Sequence, residues 1–234
     1  FYWSLKLQQP DGSFFREGRR NHRFYTDARC TIALCELMAM SRDDRHTQAA
    51  QKAIDHLIEN QTARGGWKYT PGEGADLSVT GWVLKALKRG RMSGLTVPSE
   101  VFDEVTKYLD EDVGKAGGSQ YVYERSVMFN PELPPSMTAV GLLGRQYLGW
   151  PKDKAAMRQG VGGETWRTWN EQIREVLPKH QVQRGAEEGS WSPVGDRWGE
   201  MGGRLYQTCL SIYVLEVYYR HLPLYSEAAT AAER

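Results

Sequence analysis

The sequence predicts an all-α protein built from repeated pairs of helices. One observation is a motif that recurs: a glutamine, then a glycine, then an aromatic residue two positions after the glycine. A second is that each copy follows an amphipathic run and precedes a more apolar run containing a threonine. Strand-like alternation is scarce, and recurrence at a fixed period is typical of repeat architectures. The copies are Gln9, Gly12 and Phe14; Gln61, Gly65 and Trp67; and Gln183, Gly189 and Trp191.

Two independent markers give a similar repeat length. The aromatic positions are 53, 54 and 70 residues apart, and the copy at Tyr121 is degenerate because it lacks the upstream glutamine. The threonines that follow are 49, 58 and 70 residues apart. The sequence therefore predicts about four helix-pair repeats of roughly fifty residues, with one long interval. The aromatic residues are Phe14, Trp67, Tyr121 and Trp191, and the threonines are Thr31, Thr80, Thr138 and Thr208.

The outer helix of each pair is amphipathic. The run 47–60 carries its apolar residues on one face, as a half-buried helix does. The next outer helix is expected to begin at Ser99, directly after Pro98. A later outer helix has an apolar stripe from Trp166 to Leu177 and is expected to end before Pro178.

The partner helices are more apolar and contain small residues, which favours close packing in an inner layer. The stretch 152–165 is short, polar and glycine-bearing, so we expect that an inner helix is missing there or that the chain has a gap. The prediction is one α/α domain over 1–225, incomplete around 152–165, followed by a flexible tail over 226–234.

Composition argues against several functions. The net charge of +1 gives no electrostatic reason to expect nucleic-acid binding. No stretch approaches the ~20 apolar residues of a membrane-spanning helix, so a soluble, cytoplasmic protein is the default. The chain reads as an excised piece, which leaves a removed export signal open. The three cysteines sit in apolar helical patterns without metal-binding spacing, and we expect no metal and no cofactor.

The recurring motif resembles the repeat of the squalene cyclase and prenyltransferase superfamily. The resemblance covers most of the chain, which looks like a bacterial terpene-cyclase-like protein. It implies an α/α toroid, whose inner helices form a barrel around an apolar cavity, and an isoprenoid or other apolar small molecule as the ligand. In this family the motif is structural: the glutamine amide satisfies backbone groups at helix ends and ties neighbouring outer helices together.

The catalytic signatures of that superfamily are missing here. Squalene–hopene cyclases use an aspartate of a D-x-D-D motif; the nearest approach, 110–113, is expected to be solvated at the end of an outer helix. Protein prenyltransferases hold zinc with D-x-C and a distant histidine. The segment from Tyr206 to Cys209 resembles their Y-H-T-C, but Gln207 stands at the place of the histidine, and an amide is a poor zinc ligand.

If the toroid forms, the segments leading into the inner helices line the rim where a ligand enters. Carboxylates beside an apolar cavity can have raised pKa values and serve as general acids, and Asp76 is the first candidate. Alternatively, Asp76 and Asp27 are caps or first-turn acids of their helices. The glycine-rich stretch 199–203 is expected to be a tight loop. The rim candidates are His22, Arg23, Tyr25, Asp27, Glu73, Asp76, Asp196, Arg197, Glu200, Arg204, Tyr206 and Gln207.

Three functional hypotheses follow. The first is a toroid domain that binds an isoprenoid-like ligand without the known catalytic apparatus. The second is an active terpene cyclase or prenyltransferase with an acid outside the usual motif, Asp76 being the first suspect. The third is a helical-repeat domain that binds a protein partner. An apolar cavity reached from the rim would favour the first two.

Overall fold

Most of the chain is helical. The structure is a computed structural model that describes residues 5–19, 23–41, 43–125, 135–151, 164–195 and 197–216. The prediction of an all-α fold is confirmed. A short antiparallel hairpin pairs Gly114 with Tyr121 and Lys115 with Gln120. The elements are α1 (Arg23–Ser41), α2 (Asp44–Glu59), α3 (Leu77–Met92), α4 (Ser99–Lys107), β1 (Gly114–Lys115), β2 (Gln120–Tyr121), α5 (Pro135–Tyr147), α6 (Glu164–His180) and α7 (Arg197–Glu216).

The helices belong to two compact units. The first unit is Phe1–Gly162 and contains α1 to α5; the second is Gly163–Arg234 and contains α6 and α7. The single toroid over 1–225 therefore stays a prediction. The expected helix gap falls mainly on 152–163, which lies outside the described residues, as does the expected tail over 226–234.

In the first unit the apolar, threonine-bearing helices form one layer. Helix α3 packs against both α1 and α5, while α2 packs against α1 and α3. The apolar faces of these helices meet in one buried core, in which burial of each large side chain contributes roughly 1.5–3 kcal/mol. Helices that alternate between apolar and amphipathic along the first unit therefore lie in different layers. Fully buried members of the core include Phe24, Ile54, Leu57, Trp67, Leu84 and Leu142.

The two amphipathic helices of the first unit begin in different ways. The Asp43 side chain caps α2 by accepting a hydrogen bond from the Arg45 amide. Helix α4 begins at Ser99 after Pro98, as predicted, and continues into a π-helical turn over Tyr108–Val113. The expectation that 110–113 is solvated is wrong for Asp112.

Asp112 is only 6% exposed because two arginines compensate its charge. Its Oδ1 lies 3.2 Å from Arg64 Nη1 and 3.3 Å from Arg125 Nη1. A carboxylate can be buried when its charge is paired in this way. The arginines come from loops far from it in sequence, so the local acidic pattern alone did not reveal the pairing.

The second unit departs from the sequence prediction at two places. Helix α6 extends to His180, so the expected end before Pro178 is wrong; a proline in the last turn removes only one backbone hydrogen bond. The expected loop over 199–203 is also wrong, because these residues form the first part of α7. That helix is interrupted at Gly203, with φ of 75° and ψ of −178°. Beyond the interruption, Leu205 and Leu210 are exposed.

Candidate functional site

The recurring glutamine links one amphipathic helix to the next. Gln61 follows α2, and its Nε2 donates to the Gly65 carbonyl at 2.9 Å and to the Val101 carbonyl of α4 at 3.0 Å. The Thr62 amide donates to the Gly66 carbonyl at 3.0 Å and closes the same loop. One side chain therefore holds the loop and the adjacent helix together.

In the first copy these bonds come from Gln8 rather than the predicted Gln9. Gln8 Nε2 donates to the Gly12 carbonyl at 3.2 Å and to the Ala49 carbonyl of α2 at 2.9 Å. Gln9 Nε2 reaches only the neighbouring Leu7 carbonyl, at 3.4 Å. The signal was present in the sequence, since Gln8 and Gln61 both precede their glycine by four residues.

The last copy needs the same correction. Gln181, not Gln183, donates its Nε2 to the Gly189 carbonyl, at 2.9 Å. Gln183 Nε2 donates instead to the Gln181 carbonyl, at 2.9 Å. The spacing from Gln181 to Gly189 is four residues longer than that from Gln61 to Gly65, so the sequence alone did not show that Gln181 corresponds to Gln61.

The glycines of the first two copies are required by close backbone contact. Gly65 has φ of +84°, and a Cβ there would lie 1.9 Å from the Glu104 carbonyl oxygen of α4. Gly12 has φ of +92°, and its Cβ would lie 2.2 Å from the Lys52 carbonyl oxygen of α2. Only glycine fits such a position without moving the backbone.

Each tryptophan of the motif satisfies the end of the preceding helix. Trp67 Nε1 donates to the Leu57 carbonyl at 2.8 Å, and Trp191 Nε1 donates to the Leu177 carbonyl at 2.8 Å. Trp67 is fully buried and Trp191 is 4% exposed. These carbonyls belong to the last turns of α2 and α6, where backbone acceptors lack helical partners.

A hydrogen bond explains why the aromatic residues and the threonines recur together. In three copies the threonine hydroxyl oxygen accepts the backbone N–H of the aromatic residue. The threonine thereby anchors the motif to the apolar helix that follows it. The pairs are Trp67 with Thr80 at 3.0 Å, Tyr121 with Thr138 at 3.2 Å, and Trp191 with Thr208 at 3.2 Å.

In the first copy an aspartate takes this anchoring role. Asp27 Oδ1 accepts from the Phe14 amide at 2.6 Å, the Phe15 amide at 3.2 Å and the Ser13 hydroxyl at 2.9 Å. Asp27 is the fifth residue of α1, so the prediction that it caps the helix or sits in its first turn is wrong. It precedes Thr31 by four residues, as Asp76 precedes Thr80.

Asp76 is the N-cap of α3 and is fully buried. Its Oδ1 accepts from the Val79 amide at 2.9 Å, while Oδ2 makes no hydrogen bond of standard geometry within the described residues. Burial raises the pKa of Asp76 to about 6, against the opposing effects of the Val79 amide, Lys68 and the Tyr123 hydroxyl. The capping alternative is thus realised, yet the carboxyl also keeps its proton at mildly acidic pH.

Tyrosines surround this carboxyl at the N-terminal ends of α1 and α3. The Tyr25 hydroxyl lies 2.5 Å from Ser78 Oγ, and the Tyr69 and Tyr123 hydroxyls are hydrogen-bonded to each other. The rings of Tyr25 and Tyr69 are 6.3 Å apart between centroids. Burial raises the pKa of both Tyr25 and Tyr123, so both hydroxyls stay protonated. Three half-buried aromatic rings and one protonatable carboxyl therefore share one end of the first unit.

A salt bridge borders this cluster. Lys68 Nζ lies 2.7 Å from Glu124 Oε2, and this hydrogen bond raises the pKa of Lys68. Both residues follow an aromatic residue of the motif, one in the loop after Trp67 and the other after Tyr121. The bridge ties the two loops together beside Asp76.

The remaining rim candidates of the first unit are spread out. Arg23 Nη2 lies 3.7 Å from Asp11 Oδ2, outside the tyrosine cluster. Glu73 is exposed in the loop that leads to α3. His22 lies outside the described residues. The structure thus brings together Tyr25 and Asp76, with Tyr69, Tyr123 and Lys68, which the sequence did not single out as candidates.

In the second unit the rim candidates lie along α7. Arg204 lies 2.7 Å from Glu187 and donates to Ser190 Oγ at 3.2 Å. Glu200 Oε1 accepts from the Gly195 amide at 3.2 Å. Tyr206 is 38% exposed and Gln207 is half-buried. Asp196 and the side chain of Arg197 lie outside the described residues.

Two cavities lie against the glutamine motifs rather than at the tyrosine cluster. One, of about 680 Å³, is lined by residues that include Gln9, Asp11 and Arg23. The other, of about 450 Å³, is lined by residues that include Gln61 and Arg64. Asp76 lines neither of them.

Two absences among the described residues bear on cofactors and membranes. Among them, no group of three or more His, Cys, Asp or Glu side chains could hold a metal ion. No helix in the same part of the chain is long and apolar enough to cross a membrane. Cys30, Cys35 and Cys209 are free thiols.

Comparison with known proteins gives a partial relative. No family model matches the chain. Over 117 residues, 49% of this chain, it is 33% identical to drimenyl diphosphate synthase from Streptomyces showdoensis. The match covers 21% of that protein, so the aligned stretch is a small part of the relative's length. The similarity supports a terpene-cyclase-like relationship for part of the chain.

Proposed function

We propose that this chain is a terpene-cyclase-like helical domain that binds an isoprenoid-like apolar ligand at the N-terminal ends of α1 and α3. The observation that carries the proposal is the buried Asp76 carboxyl beside Tyr25, Tyr69 and Tyr123. The partial similarity to drimenyl diphosphate synthase supports the ligand class. The α/α toroid implied by the repeats remains part of this proposal.

The chemistry of the cluster suits such a ligand. Ligand sites are typically lined by apolar and aromatic side chains with a few polar groups that fix orientation. The faces of the tyrosine rings offer apolar contact, and their π electrons attract a cationic centre when water is excluded. The hydroxyl pairs Tyr25–Ser78 and Tyr69–Tyr123 hold the rings in place.

A second candidate function is proton-initiated catalysis at the same site. The observation that favours it is the raised pKa of Asp76, about 6, because a carboxylic acid that is protonated near neutral pH can act as a general acid. In that reaction the Asp76 proton adds to an electron-rich double bond of the ligand and leaves a carboxylate. Asp76 is followed by Leu-Ser-Val, so it does not lie in a D-x-D-D motif, and binding without turnover remains the first proposal.

Native mass spectrometry tests the binding proposal. We expect the purified protein to carry, or to take up, an isoprenoid alcohol such as farnesol, and Tyr69→Ala to reduce that occupancy at least tenfold. Tyr206→Ala is the matched control, since Tyr206 is a partly exposed tyrosine of the other unit. Equal occupancy in both variants, or repeated absence of bound lipid, would contradict the proposal. A protein that co-purifies instead would support the interaction-domain hypothesis.

Turnover assays test the catalytic candidate separately. We expect the wild-type protein to convert squalene or a prenyl diphosphate, and Asp76→Asn to lose that activity. Asparagine is also a good N-cap, so the fold should survive this change. If the wild-type protein binds the isoprenoid but forms no product, the catalytic candidate is rejected and the binding proposal stands.

A further inference from the structure

A buried histidine joins three segments of the first unit, and the proposed function does not use it. His56 lies on α2 and is 3% exposed. Its Nε2 is 3.5 Å from Asp27 Oδ2 on α1, and its Nδ1 is 3.8 Å from Asp11 Oδ2 in the N-terminal segment. Each ring nitrogen therefore faces a carboxylate from a different segment.

The protonation state of the ring decides whether this arrangement attracts or repels. A neutral imidazole has one N–H and one lone pair, so one of the two carboxylates would face a lone pair. An imidazolium has two N–H groups and attracts both. Asp27 Oδ2 and His56 Nε2 make no hydrogen bond of standard geometry within the described residues, so each lacks another group to compensate its burial.

We propose that His56 carries a proton on both ring nitrogens in the folded protein and clasps the N-terminal segment 8–15 to α1 and α2. In this arrangement both carboxylate oxygens of Asp27 have partners. Oδ2 faces His56, and Oδ1 accepts from the Ser13 hydroxyl and from the amides of Phe14 and Phe15. The charged neighbours on the packed elements are Asp11, Asp27 and Arg23. Arg23 Nη2 lies 3.7 Å from Asp11 and shares that carboxylate with His56.

The clasp makes the first repeat sensitive to pH. Attraction requires a charged ring and charged carboxylates, so it is present at mildly acidic pH. It is lost when the ring is neutral, because a neutral imidazole has only one N–H to offer. Loss of the charge frees the segment 8–15 and with it the tie that Gln8 makes to α2.

Amide hydrogen exchange of Phe14 and Phe15 tests the proposal, because both amides donate to Asp27. After correction for intrinsic exchange rates, we expect their protection in the wild-type protein to fall roughly tenfold from pH 5.5 to 8. In His56→Gln the protection should be low and independent of pH. His180→Gln is the control, since His180 is exposed and bonds only within α6, to the Val176 carbonyl.

Two further measurements keep the proposal testable if His56→Gln unfolds. Nitrogen NMR of the His56 ring should show both nitrogens protonated at pH 6. Asp11→Asn, which changes a half-exposed carboxylate, should fold and should weaken the pH dependence of Phe14 protection. A singly protonated ring at pH 6, or unchanged pH dependence in Asp11→Asn, would overturn the clasp.

Discussion

Asp27 and Asp76 occupy the same position of consecutive repeats but have different surroundings. Each precedes the recurring threonine of its helix by four residues. Asp27 Oδ1 accepts three hydrogen bonds and its Oδ2 faces His56. Asp76 Oδ1 accepts from the Val79 amide, and its Oδ2 lacks a standard hydrogen bond within the described residues. The first carboxylate is tied into the scaffold, whereas the second keeps its proton up to about pH 6.

A different type of residue lies near each aspartate. His56 and Tyr108 occupy equivalent positions in the two repeats. Each lies four residues after the residue whose carbonyl contacts the glycine of the motif: Lys52 at Gly12 and Glu104 at Gly65. Burial raises the pKa of Tyr108, and the nearby Asp76 charge adds to this effect, so Tyr108 is neutral. The first repeat therefore has a histidine at this position, which can become a cation, and the second has a neutral tyrosine.

The largest effect is expected at the aromatic position of the motif. Trp67→Ala should lower the free energy of unfolding of the first unit by about 3–5 kcal/mol, since it empties a fully buried site. Trp67→Phe should cost less, because Phe14 fills the corresponding position in the first repeat. Urea denaturation followed by circular dichroism measures both. Equal losses for the two variants would mean that the indole N–H bond to Leu57, not the packing, stabilises the site.

Exchanging each aspartate for asparagine separates the two repeats. Asp27→Asn should cost about 3–4 kcal/mol, because it leaves buried His56 without its main counter-charge. Asp76→Asn should raise the stability at pH 7, since asparagine also caps helices and carries no charge to bury. Thermal denaturation of both variants provides the comparison. A larger loss for Asp76→Asn would contradict the assignment of roles.

The pH dependence of stability should also differ between the two repeats. Folded Asp76 keeps its proton up to about pH 6, whereas the unfolded chain releases it near pH 4. Relative to Asp76→Asn, the wild-type protein should therefore lose stability as the pH rises from about 4 to 6, by up to about 3 kcal/mol. Denaturation at a series of pH values measures this. A constant difference between the two proteins would show that burial does not raise the pKa of Asp76.

The smallest effect is expected at the glutamines. Gln8→Ala should cost about 1 kcal/mol, because it removes two hydrogen bonds, one of them to α2. Gln9→Ala is the matched control and should change little. Equal losses of stability in the two variants would contradict the finding that Gln8, and not Gln9, donates to α2. The same contrast between Gln181 and Gln183 applies to the second unit.

Features that depend on local sequence pattern were predictable, whereas features that depend on distant partners were not. Helical periodicity, Pro98 and the capping chemistry of Asp76 are local, so the helix pairs and the start of α4 were predictable. The burial of Asp112 depends on arginines from two loops. The choice of Gln8 over Gln9 depends on which amide reaches α2. Tyr69 and Tyr123 meet only because two loops converge on α3.

The most direct test of the contrast is a carbon NMR titration of the Asp76 carboxyl, in the wild-type protein and in Tyr108→His. The account predicts a pKa of about 6 in the wild-type protein and a lower pKa in Tyr108→His, where an imidazolium replaces the neutral phenol. Tyr108→Phe, as the control, should leave the pKa raised. A wild-type Asp76 that titrates near 4, like an exposed aspartate, would contradict the account.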